Sequence, residues 1–151
     1  MKRTVALIII LSLIPFTSCS GGQSAESIAT AFCEGYPLYT DVYSSEKSEG
    51  QKGYIDSQML TALYGGTARP TGEFALVLYG RVDTVREIGV FVAENGDERM
   101  EVIALATERI ELLSSLAEGE GFVKKYHTVI VYGFVDDVER ATRLFDSILQ
   151  K

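Results

Sequence analysis

The chain has 151 residues, 14 of them basic and 21 acidic, for a net charge of −7, and 46% of its residues are hydrophobic. That length holds one domain with one core and is too short for two. The acidic surplus speaks against nucleic acid and anionic lipid headgroups as charge-driven partners, because both are held by a basic face.

Residues 1–19 are the first recognisable unit. Lys2 and Arg3 form a cationic start, residues 5–14 are an uncharged apolar run, Pro15 breaks it, and Thr17 and Ser18 precede Cys19. Ten residues of helix span about 15 Å, half of a hydrocarbon core, so the run is too short for a transmembrane anchor. It reads as a secretory signal. The cut site resembles a bacterial lipoprotein signal, with Phe16 where such motifs usually carry Leu. The expectation is therefore a lipoprotein signal peptide over residues 1–18, with Cys19 lipidated on its sulfur and left as the mature N-terminus. Residues 19–151 would remain, with a net charge of −9 once Lys2 and Arg3 are lost. Residues 19–23 are small and polar and read as a tether, and residues 24–151 as a single domain.

Ala25, Ile28, Ala29 and Phe32 recur at helical spacing and predict a short amphipathic helix, stopped by Gly35 and Pro37. With that helix docked, the tether reaches roughly 18 Å when fully extended, which holds the domain close to the membrane. Residues 40–53 are polar and aperiodic and read as a mobile loop. Tyr36, Tyr39, Tyr43 and Tyr54 fall in this least regular part. Such rings either anchor a sugar or protein partner or pack the segment onto the domain.

Asp56 or Ser57 can cap a second short helix through Met59, Leu60 and Leu63, ending at Gly65 and Gly66. Residues 74–79 and 88–92 are β-rich runs joined by a loop around residues 80–85, a hairpin. A long helix follows Asn95-Gly96-Asp97, with Ile103, Ala106, Ile110, Leu113 and Ala117 on its stripe and Val102, Leu105, Leu112 and Leu116 widening it. Residues 118–121 close it. Residues 128–132 are apolar on both faces and predict an interior strand. Asp136, with Glu139 three residues on, predicts the start of the last helix, whose apolar face runs from Val138 through Ala141 and Phe145 to Leu149. The order from residue 74 is β-β-α-β-α. A single helix between the second and third strands predicts that they are parallel and joined by a right-handed crossover. The expected fold is α+β: a small mixed three-stranded sheet with helices packed on it, preceded by one or two short helices.

Several of these pieces together resemble a known family. They are Leu63-Tyr64-Gly65, then Arg86-Glu87-Ile88-Gly89-Val90-Phe91, the long helix carrying Arg109, the strand over residues 129–132, and the helix from Asp136. Over residues 56–150 the chain resembles domain-of-unknown-function family 4358 of small Gram-positive lipoproteins. It departs from that pattern in its short Gly-Glu-Gly linker, where the family often has a longer segment with Tyr and Pro. The resemblance implies the fold and an envelope address and carries no activity.

The sequence contains no Gly-rich phosphate loop, paired CxxC, HExxH or GxSxG motif. His127 is the sole histidine and stands at the head of the apolar strand, and Cys33 lies beside Phe32 on a buried stripe; neither is expected to be catalytic. One constellation could bind a ligand. Were the second and third strands parallel, Glu94, Asn95, Asp97 and Glu98 would share a sheet edge with Asp136 and Asp137, where α/β units bind ligands. Those carboxylates could hold Ca²⁺ or a small cationic ligand. The competing reading makes Asp97 and Asp136 ordinary N-caps, and the spacing is not an EF-hand. The leading functional reading is a non-enzymatic lipoprotein held on the extracytoplasmic face of the cell membrane, contacting an envelope protein or wall component. It would carry no cofactor apart from the lipid on Cys19, whose two acyl chains suffice for anchoring. The alternatives are the Ca²⁺ or cation module at the acidic edge and a cell-wall hydrolase using a carboxylate pair.

Overall fold

The computed structural model describes residues 22–65, 72–79 and 85–150. The proposed signal peptide, Cys19 and most of the loop after the first β-rich run lie outside the described residues. Four helices and five strands follow in the order α1 (Ala25–Gly35), β1 (Tyr39–Ser44), α2 (Ser57–Tyr64), β2 (Glu73–Tyr79), β3 (Glu87–Val92), α3 (Gly96–Leu116), β4 (Glu120–Tyr126), β5 (Val129–Val135) and α4 (Val138–Leu149).

The strands form one sheet in the order β1-β2-β3-β5-β4, with every neighbouring pair antiparallel. The architecture is α+β, but the three-stranded mixed sheet is overturned. Two edge strands account for the difference. Residues 39–44, overlapping the front of the 40–53 stretch read as a loop, pair with β2, and residues 120–126, of which the first two are read as the close of the long helix and the rest as no element, pair with β5. Both are half-polar, as sheet edges often are, so neither has the apolar signal of an interior strand.

The crossover helix joins a different pair of strands from the one expected. α3 connects β3 to β4, and those two do run parallel, but β5 is inserted between them by the hairpin that returns at His127 and Thr128. β3 and β5 are therefore antiparallel, with Val92 opposite Val129 and Glu87 opposite Phe134. His127 takes φ 51°, the positive value that two-residue hairpin turns favour.

Alternation along the strands sends side chains to two cores. One face buries Ala75, Val77, Ile88, Val90, Val129 and Val131 against α1 and α4. The other buries Phe74, Leu76, Phe91, Ile130 and Tyr132 against α2 and α3. All seven residues of β5 are buried, as expected of an interior strand. The α1 stripe is as expected, with Ala25, Ile28, Ala29 and Phe32 fully buried. The α3 stripe is narrower than expected: Val102, Leu105, Ala106 and Leu113 are buried, whereas Leu112 and Leu116 are 48% and 66% exposed.

The caps follow local hydrogen bonding. Asp56 caps α2, its Oδ1 accepting from Gln58 and Met59, and Gly65 ends the helix at φ 73°. α3 is capped by Asn95 rather than Asp97, its Oδ1 accepting from Glu98 N–H at 2.9 Å. α4 is capped by Asp137 rather than Asp136, which pairs with Arg86 instead. Among the described residues no helix is long and apolar enough to cross a membrane.

Candidate functional site

The sheet face under α3 carries a chain of polar side chains in an otherwise apolar layer. Glu87 opens β3 and its side chain is 4% exposed. Gly89, two residues on, points to the same face and leaves room for the cross-strand ring of Tyr132, which lies where a Cβ on Gly89 would be. The ring thereby passes over the strand and its hydroxyl donates to Glu87 Oε1 at 2.7 Å. Because that proton is committed to the carboxylate, the 2.6 Å contact between Tyr64 and Tyr132 hydroxyls has Tyr64 as donor.

Arg109 reaches the same carboxylate from α3. Its Nε donates to Glu87 Oε1 at 2.8 Å and its Nη2 to Oε2 at 2.7 Å, a bidentate pair. Nη1 donates to the Leu63 carbonyl at 3.1 Å, and the guanidinium stands over the Tyr64 ring. One network thus ties the last turn of α2 to α3, β3 and β5. Burial first, then the nearby Glu87 charge, pushes Tyr64 far above the ordinary phenol range. Burial and the neighbouring Tyr64 and Glu87 do the same to Tyr132. The Glu87 hydrogen bond raises Arg109. Both phenols and the guanidinium therefore keep their protons through ordinary pH. Both carboxylate oxygens are already taken by donors, so Glu87 is arranged to hold α2 in place.

α2 stands as a ridge with a concavity on each side. Toward β1 and β2 lies an apolar groove of about 290 Å³, walled by Tyr43, Ile55, Ala62, Leu63, Leu76 and Leu78, with Met59 at its rim. Met59 is 45% exposed. Toward α3 lies a second groove, bordered by Ala62, Leu63, Arg109 and Leu112. Glu108 also borders this second groove, and Leu116, 66% exposed, lies one turn farther along α3.

The expected ligand edge is not assembled. Glu94, Asn95 and Asp97 follow β3 at the end of the sheet where Val92 meets Val129. Asp136 and Asp137 follow β5 at the opposite end, six residue steps or about 20 Å away along the strand. Asn95 and Asp137 serve as caps, and Asp136 pairs with Arg86, whose guanidinium also covers Phe134. Glu98 is buried and accepts from Gly72 and Glu94 N–H groups, pinning the start of α3 to the start of β2. No cluster of three metal-ligating side chains occurs among the described residues.

Tyr36 and Tyr39, candidates for a partner surface, are buried and pack around Phe32 with ring centroids 5.7 and 5.4 Å away. Tyr43 lines the apolar groove. His127 is exposed at the hairpin turn, its carbonyl accepting from Arg99. Cys33 is half-buried, and burial, then the Asp41 charge, push its thiol up to about 11, well away from a reactive thiolate.

The Tyr64–Tyr132–Glu87–Arg109 network was missed as a unit. A signal for it exists: Arg109 falls in register with Val102, Ala106 and Leu113 on the buried stripe of α3, and Glu87 heads an otherwise apolar strand. A cation and an anion that both point inward imply each other. These are also four of the residues on which the family resemblance was drawn. No family model, curated protein or solved structure matches this chain, so the site is read from its own geometry.

Proposed function

We propose that this protein is a lipid-anchored module on the extracytoplasmic face of the cell membrane, without enzymatic activity, that holds an apolar segment of another envelope protein in the groove beside α2. The observation that carries the reading is that groove. The groove is lined by apolar side chains alone, so an apolar side chain of a partner can be buried in it. Its volume of about 290 Å³ lies at the low end for small-molecule pockets and suits one or two apolar side chains. The Arg109–Glu87 network fixes the ridge that forms one wall of the groove, which is the preorganisation a binding surface needs. The anchor rests on the sequence pattern at residues 1–19.

The test is site-specific photocrosslinking in cells. A photoreactive residue at Met59 should give one discrete adduct, lost when Ala62→Glu places a charge at the groove. The same residue at Glu118, exposed just beyond the end of α3, should give none. Equal adducts from both positions, or an adduct indifferent to Ala62→Glu, would refute the groove as the contact surface.

A further inference from the structure

We infer that the domain stands end-on to the bilayer, with the β4–β5 hairpin and the end of α4 against the phospholipid headgroups and the start of β4 pointing away. The inference rests on the lipid anchor proposed above and adds an orientation to it.

The start of α1 is fixed to the sheet. Ser24 caps the helix, accepting from Ser27 N–H. Glu73, the first residue of β2, accepts from Ala25 N–H at 3.1 Å, and Glu46 accepts from Glu26 N–H at 2.7 Å. Ala25 and Ile28 are fully buried. The chain therefore leaves a rigid point at Ser24, and the five residue steps back to Cys19 span at most about 18 Å.

That rigid point is at one end of the sheet. Gln23 lines a concavity of about 640 Å³ together with Lys125, His127 and Thr128 of the hairpin and Leu149 and Gln150 at the end of α4. A lipid on Cys19 brings this concavity to the headgroup layer. The opposite end, marked by Glu120 opposite Val135, is about 20 Å farther along the strands.

Charge does not distinguish the two ends. At the tether end, Lys125, His127 and Arg99 stand with Glu26, Glu46, Glu73, Glu94 and Asp97. At the other end, Glu118, Glu120, Asp136 and Asp137 are exposed, with Arg86 pairing one of them. Both ends carry more acids than bases, so the short tether, and not charge, is what holds the hairpin end down.

The chain has no tryptophan, so single Trp probes report position. The full chain, purified with its lipid from membranes, is reconstituted into phosphatidylcholine–phosphatidylglycerol vesicles containing a nitroxide on the lipid headgroup, a contact-range quencher. Gln150→Trp should be strongly quenched and Glu118→Trp should keep its intensity. Inserting twenty Gly and Ser residues after Ser20 should at least halve the quenching at position 150, because a long flexible linker no longer holds the end down. Equal or stronger quenching at position 118, or quenching at 150 unchanged by the insertion, overturns the orientation even when intact mass shows the lipid. A chain without lipid mass removes the anchor itself, and the orientation with it.

Discussion

Replacing Arg109 with Met removes the cation from Glu87 while keeping most of the side-chain volume. In the wild type the Glu87 carboxylate is 4% exposed and takes two guanidinium hydrogen bonds, and a third from Arg109 holds the Leu63 carbonyl. After Arg109→Met, a buried carboxylate keeps only the Tyr132 hydroxyl, and the last turn of α2 loses its tie to α3. Breaking a buried pair on one side costs about 3–5 kcal/mol. For a domain of this size that is a fall in Tm of about 10–20 °C. The partner substitution makes the prediction specific. Glu87→Leu combined with Arg109→Met exchanges both charges for apolar groups, and Tyr132 still has the Tyr64 hydroxyl at 2.6 Å. The double variant should recover to within about 2 kcal/mol of wild type. Urea unfolding followed by circular dichroism on all four proteins gives the cycle. The reasoning fails if Arg109→Met costs under about 1 kcal/mol, or if the two single losses simply add in the double variant.

Gly89→Ala puts a Cβ 1.9 Å from Tyr132 Cε1. The ring has to leave Glu87, and overpacking together with the lost hydrogen bond should cost about 3 kcal/mol by urea unfolding. Asp146 is held below its ordinary value of 3.8, chiefly by hydrogen bonds from Lys124 and Tyr126 at 2.6 and 2.8 Å. A carboxylate with a depressed folded pKa stabilises above its unfolded value, and that stabilisation is lost as pH falls through the folded value. Asp146→Asn should therefore be less stable than wild type at neutral pH, with the gap closing as pH drops below 3.8; a gap independent of pH would contradict the assignment. With its thiol at about 11 rather than 9.0, Cys33 holds about a hundredfold less thiolate near pH 8. In a Cys19→Ala chain, iodoacetamide should label it correspondingly slowly until urea is added.

Helices and interior strands were legible because burial imprints a period. Ala25, Ile28, Ala29 and Phe32 repeat at helical spacing, and residues 129–132 are apolar on both faces, so their environments follow directly. β1 and β4 were not legible. Lys124, Lys125 and Asp41 give those edges a mixed polar pattern, and much of what places them is backbone pairing with a neighbour that no local period records. The missing β4 had a large consequence. With it absent, α3 led to β5, the strands became parallel, and Glu94 met Asp136 on paper although the hairpin at His127 sends them to opposite ends. The site suffered from the same limit. Arg109 was noticed only as part of a resemblance, because its partner Glu87 is 22 residues away in sequence and is brought to it by the packing of α3 on the sheet. The groove beside α2 is likewise a product of packing, since Tyr43, Ile55 and Leu76 come from three separate segments.

The anchor at Cys19 underlies both the proposed function and the end-on orientation, and intact-mass analysis of the membrane fraction tests it most directly. Cells expressing wild type should yield a chain beginning at Cys19 with the added mass of a lipid, and Cys19→Ala should lack it. A lipid-free chain released to the medium by both would contradict the account.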